Sequence, residues 1–221
     1  MIIAIDGPAG SGKSTIAQLI ANDLGLVYLD TGAMYRVFTL KVMKEKIDFN
    51  DMTNITKLLN NLWMNIEKDR FFLDDEDVTE EIRKPEISEN VSKIAAIREV
   101  REKMVEMQRE FSRSKDVILD GRDIGTVVFP DADIKVFLVA DPLERAKRRH
   151  KELIEKGEDV SLDEIYENII TRDKIDSTRE ISPLKMGKGA IKIDTTARNI
   201  KEVKDEIMEI YKNKMRKNES F

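Results

Sequence analysis

Ile2-Ile3-Ala4-Ile5-Asp6-Gly7-Pro8-Ala9-Gly10-Ser11-Gly12-Lys13-Ser14-Thr15 opens with a short apolar run that gives way to a glycine-rich loop. Residues 7–14 match G-x-x-x-x-G-K-[ST]. Beyond them Ile16, Leu19, Ile20 and Leu24 share one face of a helix from about Lys13, and Gly25 is placed to end it. Strand, loop and helix in that order give the pattern its physical meaning. Glycines let backbone N–H groups turn inward as an anion nest, and the helix N-terminus adds the positive end of its dipole. In such a loop the lysine reaches the β- and γ-phosphates and the serine hydroxyl ligates Mg2+. Gly7–Thr15 therefore reads as the site of a nucleoside triphosphate bound with Mg2+, with Ser14 as the metal ligand.

Outward from this loop the chain alternates strands and helices, which predicts an α/β fold. Val27–Leu29, Val117–Asp120, Ile134–Ala140 and Ala190–Asp194 are further short apolar segments. Nearly continuous apolar runs suit a parallel sheet covered on both faces. Helical spacing recurs in Ile97, Val100, Met104, Met107 and Phe111, and again in Ile200, Val203, Ile207 and Tyr211. Two stretches break the alternation. Trp63–Glu67 and Phe71–Leu73, around Lys68-Asp69-Arg70, read as a hairpin inside an insertion. Leu143 to Lys188 is charge-dense, with helical segments around Gly157 and a break at Pro183. That excursion reads either as a mobile lid or as a solvated helical hairpin.

Composition narrows the chemistry. The 221 residues are 41% hydrophobic and 37% charged, enough apolar material for a core and too much for a disordered polyelectrolyte. No run approaches the roughly 20 apolar residues of a membrane span, and no basic segment precedes the first apolar stretch, so a soluble cytoplasmic protein is expected. The absence of cysteine excludes thiol catalysis and disulfides, and one histidine, His150, argues against a zinc site. A net charge of −5 provides no global basic field for a nucleic acid polymer, so an anion site must be built locally from placed arginines.

Such arginines exist. Arg36 follows the second strand, Arg122 lies in Asp120-Gly121-Arg122-Asp123 at the end of the third, and Arg172 and Arg179 flank Asp173 and Asp176. Guanidinium forks match phosphate oxygens bidentately, and open α/β sheets bind ligands at the carboxyl ends of their strands. If the acceptor of the phosphoryl group is itself a phosphate monoester, with a second pKa near ~6, no general base is essential. A hydroxyl acceptor would instead call for an aspartate base, and Asp6, Asp30, Asp120 and Asp123 keep that alternative open.

Gly7–Thr15, Leu29–Arg36, Asp77–Arg83, Asp120–Pro130 and Arg172–Leu184, in order over nearly the whole chain, resemble the bacterial cytidylate kinases. The resemblance implies a P-loop NTPase fold with a five-stranded parallel core sheet, an inserted monophosphate-binding domain and a lid. It implies a core at residues 1–35, 115–150 and 185–221, a monophosphate-binding domain at 36–114 with an enlarged insert at about 60–95, and a lid at 151–184. It also implies transfer of the ATP γ-phosphoryl group, with Mg2+, to CMP or dCMP, by a monomer without membrane or nucleic acid partners. Carried onto this sequence, Ser92, Arg101 and Asp123 surround the cytosine, Arg36, Arg122 and Arg179 hold the CMP phosphate, and Arg172 and Asp176 approach the acceptor. Lys13, Arg122, Arg172 and Arg179 form the catalytic set. A carboxylate can accept from the cytosine N4 amino group, whereas uracil would present a carbonyl to Asp123.

The sequence departs from the family pattern in places. Ile97-Arg98-Glu99-Val100-Arg101 lacks a proline often found ahead of the Val-Arg pair, and Lys174 and Ser177 stand where many relatives carry Asp or Arg. Arg145, Arg148 and Arg149 receive no individual role. Another small-molecule P-loop kinase and a nucleotide-dependent switch remain the competing expectations.

Overall fold

A computed structural model describes residues 1–218; the last three residues of the expected core segment 185–221 lie outside the described residues. In chain order, β1 (Ile2–Asp6) runs into the glycine-rich loop, α1 (Lys13–Leu24) follows, and β2 (Val27–Asp30) leads directly into α2 (Thr31–Lys44). Then come α3 (Met52–Asn60), the strands β3 (Met64–Glu67), β4 (Arg70–Leu73) and β5 (Glu76–Asp77), a 3-10 turn at Glu81–Arg83, α4 (Pro85–Ala95) and α5 (Arg98–Phe111). β6 (Val117–Gly121) enters a wide π-helical turn at Ile124–Val128. β7 (Ile134–Val139), α6 (Pro142–Glu155), α7 (Leu162–Thr178), β8 (Ile191–Asp194) and α8 (Ile200–Asn218) complete the chain.

The main sheet has five strands in the order β2-β6-β1-β7-β8, every neighbouring pair parallel. The expected parallel core is therefore present. Its central strands are apolar on both faces because helices cover both. Ile3, Ile5, Ile118, Val136 and Leu138 pack against Ile16 and Ile20 of α1 and Val203 and Ile207 of α8. Ala4, Leu29 and Leu119, on the opposite face, pack against Met34 and Phe38 of α2 and Val100 and Met104 of α5. Full burial of each of these Val, Leu, Ile, Met or Phe side chains is worth about 1.5–3 kcal/mol. A separate small cluster of Ala146, Leu153, Ile165 and Ile169 joins α6 to α7, so that helical pair has its own seam.

Register sets the site. Asp30 pairs with Asp120, and Asp6 with Gly121, so β1, β2 and β6 end level and deliver their last residues to one edge. Gly25 ends α1 at φ 65°, with its N–H bonded to the Ala21 carbonyl, as the glycine position predicts. The insertion is a three-stranded antiparallel sheet, one strand more than the expected hairpin. It pairs Met64 with Leu73 and Glu67 with Arg70, and turns Phe71 and Leu73 into the core. The two-residue β5 carries no apolar signal, being Glu76-Asp77. Trp63, expected inside the first strand, precedes it and is 48% exposed. Among the described residues no helix is long and apolar enough to cross a membrane.

Candidate functional site

The phosphate loop is shaped by lack of room. A Cβ on Gly7 would lie 2.4 Å from the Leu138 carbonyl oxygen, and one on Gly10, at φ 74°, would lie 3.1 Å from the Arg145 Cβ. Gly12 adopts φ 86° at the start of α1, where no side chain caps the helix and no acid occupies its first turn. Those helix N–H groups are left for an anion. Ser11 Oγ and Lys13 Nζ both donate to the Pro8 carbonyl, at 3.0 and 3.1 Å, which closes the loop on itself. Pro8 is buried and Ala9 half-buried, while Ser14 and Thr15 stand exposed on the first turn of α1. Burial, then the nearby Arg122, pulls the Lys13 ammonium down to about 7.

Beside the loop, Asp120 gathers hydroxyls. Ser14 Oγ donates to one carboxylate oxygen at 2.8 Å and Tyr28 Oη to the other at 2.7 Å, while Thr31 Oγ1 donates to the Asp120 carbonyl. Burial raises the Asp120 carboxyl, and Asp30 nearby adds to the rise. Asp30 does two jobs at once. It caps α2 by accepting from the Ala33 N–H at 2.8 Å and pairs with Arg36 Nη2 at 2.7 Å. Burial alone would raise Asp30, but Arg36 and the Ala33 amide outweigh it and hold the group below the ordinary value.

The other predicted residues converge around two carboxylates. Asp123 accepts from Arg101 Nη2 at 2.5 Å and lies 4.0 Å from Arg179 Nη2. Asp176 accepts from Arg122 Nε at 2.9 Å and lies 3.7 Å from Arg179 Nη1. Arg101, the largest of the fully buried side chains, also donates to the Ala95 carbonyl at the end of α4. Its guanidinium sits 5.1 Å from the centroid of the Tyr35 ring. Ser92, on the turn of α4 before Ala95, is buried at 3% exposure. Arg172 makes no ion pair among the described residues. Burial, then repulsion from Arg122, lowers it to about 10.

Buried polar groups normally find partners, and here a whole set does not. Arg36 Nε, Arg101 Nε, Arg172 Nε, Arg179 Nη2 and the Tyr35 hydroxyl are buried without a hydrogen-bond partner. Buried guanidinium donors of this kind match the oxygens of an anionic ligand.

Comparisons with known proteins identify the family. The Cytidylate kinase family profile matches residues 3–213. The chain belongs to the cytidylate kinase family. A cytidylate kinase of Fusobacterium nucleatum is 52% identical over 92% of this chain and 93% of its own length. One of Clostridioides difficile is 50% identical over 94% and 96%, and one of Caldanaerobacter subterraneus 51% over 94% and 92%. The chain is thus a nucleotide-binding kinase of the cytidylate kinase family. Among solved structures, the shikimate kinase of Bacteroides thetaiotaomicron shares the fold at TM-score 0.50 and 13% identity, covering 96% of this chain and 98% of that one.

Within this cytidylate kinase family member, sequence reasoning passed over several residues. Tyr35 lies against Arg101, and Gln108, buried on α5, lies beside the Tyr35 hydroxyl. The signal was available, since a glutamine interrupts the inward stripe of α5 formed by Val100, Arg101 and Met104. Arg145, Arg148 and Arg149 now separate. Arg145 pairs bidentately with Asp173 at 2.5 and 3.1 Å and donates to the carbonyls of Ala9 and Ala140. Arg148 donates to the backbone of Thr195 and Thr196, and Arg149 pairs with its helix neighbour Glu152. The missing proline before α5 has no consequence for the helix start, because Ile97 is extended at ψ 127° and α5 begins at Arg98 regardless.

Proposed function

We propose that this kinase transfers the γ-phosphoryl group of ATP to the phosphate of CMP or dCMP, giving ADP and CDP or dCDP. The observation that carries the reading is the Lys13 loop opening onto Arg36, Arg122, Arg172 and Arg179, with the buried Arg101–Asp123 pair at the far end. Gly7–Thr15 hold the ATP phosphates, Lys13 bridging the β- and γ-groups. Arg36, Arg122 and Arg179 hold the acceptor phosphate, exchanging contacts with Asp30 and Asp176 for contacts with its oxygens. Arg172, with no carboxylate of its own, offsets the charge that develops on the transferring group. No general base is required of the protein. Asp30 is committed to Arg36 and the α2 cap, and Asp120 to two hydroxyls, while the monoester oxygen that attacks is already ionised at neutral pH.

Mg2+ fits the donor set present. Ser14 and Asp120 place a hydroxyl and a carboxylate 2.8 Å apart beside the loop, hard oxygens of the kind this ion takes. No group of three or more His, Asp or Glu among the described residues could cage a metal alone, which suits an ion shared with substrate phosphates. When bound, it neutralises phosphate charge and helps orient the chain of phosphates.

Base choice falls to Asp123, Arg101 and Ser92. Asp123, fixed by Arg101, accepts from the cytosine N4 amino group and faces the uracil O4 with like polarity. On this reading residues 36–114 form the monophosphate-binding domain, 1–35, 115–150 and 185–221 the core, and 151–184 a lid that excludes water. The enzyme acts in the cytoplasm and as a monomer, both nucleotide sites being built from one chain. A coupled assay with CMP, dCMP, UMP, AMP and shikimate tests the proposal. CMP and dCMP should be turned over at least about tenfold better by kcat/KM than UMP, on the discrimination a hydrogen-bonding site gives; equal use of UMP and CMP overturns it.

A further inference from the structure

The turn that follows Arg122 and Asp123 cannot hold its own shape. Within it the Asp123 carbonyl accepts from the amides of Thr126, Val127 and Val128, and Phe129 N–H bonds to Ile124 O at 2.7 Å. This wide pattern leaves the N–H groups of Ile124 and Gly125, and the carbonyls of Val127 and Val128, with no partner inside the turn. Both ends are satisfied from elsewhere. Asp6 accepts from Ile124 N–H at 2.8 Å with one carboxylate oxygen and from Gly125 N–H at 2.7 Å with the other. Arg109 donates to the Val128 carbonyl at 3.0 Å through Nε and to the Val127 carbonyl at 2.8 Å through Nη2. A two-pronged side chain thus grips each end of the turn, although burial raises the Asp6 carboxyl to about 7.

The two grips come from informative places. Asp6 is the last residue of β1 and precedes the phosphate loop; Arg109 lies two turns after Arg101 on α5. Asp6 spends both oxygens on the turn, while the loop is tied at Gly7 by a separate bond from its N–H to the Gly121 carbonyl. Gly187 packs so closely on Gly125 that a Cβ there would lie 2.7 Å from the Gly125 carbonyl oxygen. The turn is therefore seated between three unconnected segments, and Arg122 and Asp123 lead directly into it.

We propose that Asp6 and Arg109 are positioning residues for the acceptor nucleotide: gripping opposite ends of the Ile124–Val128 turn, they fix where Arg122 and Asp123 stand. This rests on the proposed CMP kinase reading, and the test separates the two. Asp6→Asn places an amide N–H against one of the turn's own N–H groups. Arg109→Gln, at an exposed position, removes the fork without burying anything new. The loss of two hydrogen bonds at one end of the turn leads us to expect a rise in KM for CMP of about tenfold and a fall in the CMP-to-UMP ratio of kcat/KM, with KM for ATP within about twofold. Amide exchange across residues 122–128 should quicken in both variants. A purely architectural role would lower the melting temperature and leave the CMP-to-UMP ratio alone. A folded Arg109→Gln enzyme with unchanged CMP KM, unchanged ratio and unchanged exchange overturns the proposal, whatever Asp6→Asn does. If the wild-type enzyme shows no preference for CMP, the substrate reading fails, and the exchange measurement alone then decides the grip.

Discussion

At the scale of single residues, Lys13 carries the clearest electrostatic consequence. Its ammonium is held near 7 by burial and by Arg122, against an ordinary value of 10.5. Above pH 7 the nucleotide-free side chain is therefore largely neutral, and triphosphate oxygens arriving beside it favour the charged form. ATP binding at pH 8 should then take up close to one proton, read as a dependence of the calorimetric heat on buffer ionisation enthalpy. Lys13→Met should abolish that dependence and cripple transfer to every acceptor. The same shift has a sign for stability. Between about pH 7 and 10.5 the unfolded chain binds the extra proton, so this residue makes nucleotide-free stability rise with pH across that window. Lys13→Met should flatten the rise in denaturant titrations. Asp123 makes a second case. Its carboxylate is the partner of Arg101, and the two side chains are 5% and 2% exposed. Asp123→Ala leaves a buried guanidinium unpaired, which costs about 3–5 kcal/mol in comparable pairs. It should also depress kcat/KM for CMP about a hundredfold or more while ATP affinity stays close to wild type; equal loss for both nucleotides removes Asp123 from base recognition.

At the scale of elements, β6 and its turn show what kind of information local sequence holds. Apolar runs announced β1, β6 and β7 because central strands of a parallel sheet are buried on both faces, and helical spacing announced α1, α5 and α8. Ile124-Gly125-Thr126-Val127-Val128, by contrast, looks like a strand by composition. Its conformation is dictated by Asp6 and Arg109, more than a hundred residues away in one case, and no local pattern encodes that. The candidate site divides in the same way. The phosphate loop has a local signature, and Arg122 stands just past a strand end where charge is conspicuous. Ser92 and Arg101 drew notice only through family resemblance, because a buried guanidinium on a helix looks on paper like any solvated one. Gln108 was legible as a polar break in the inward stripe of α5, whereas Tyr35 became visible only when its ring was found beside Arg101. Gly121 offers a check at this scale. A Cβ there would lie 2.7 Å from Ile124 Cδ1 and 2.8 Å from Thr31 Oγ1. Gly121→Ala should therefore push the turn away from α2. Overpacking of this kind costs about 1–3 kcal/mol, measurable by thermal denaturation, and the acceptor KM should rise with it.

Across the whole molecule, Arg145 links the α6–α7 pair to the phosphate loop. Arg145 touches Ala9 of the loop, Ala140 at the end of the sheet and Asp173 on α7, and α7 in turn carries Arg172 and Asp176. The helical pair, the loop and the end of the sheet thus share one buried guanidinium. Asp173→Asn should loosen the tie without touching either nucleotide. We expect kcat to fall about tenfold with KM for ATP nearly unchanged, and the fraction of ATP lost to water in the presence of CMP to rise. Unaltered kcat with normal folding would separate the pair's position from turnover.

The insertion, finally, comes with a built-in optical tag. The chain holds one tryptophan, Trp63, immediately before the first strand of the small antiparallel sheet and about half exposed. Its fluorescence therefore watches that sheet and nothing else, so the rigidity of the insert during turnover can be followed in unlabelled protein.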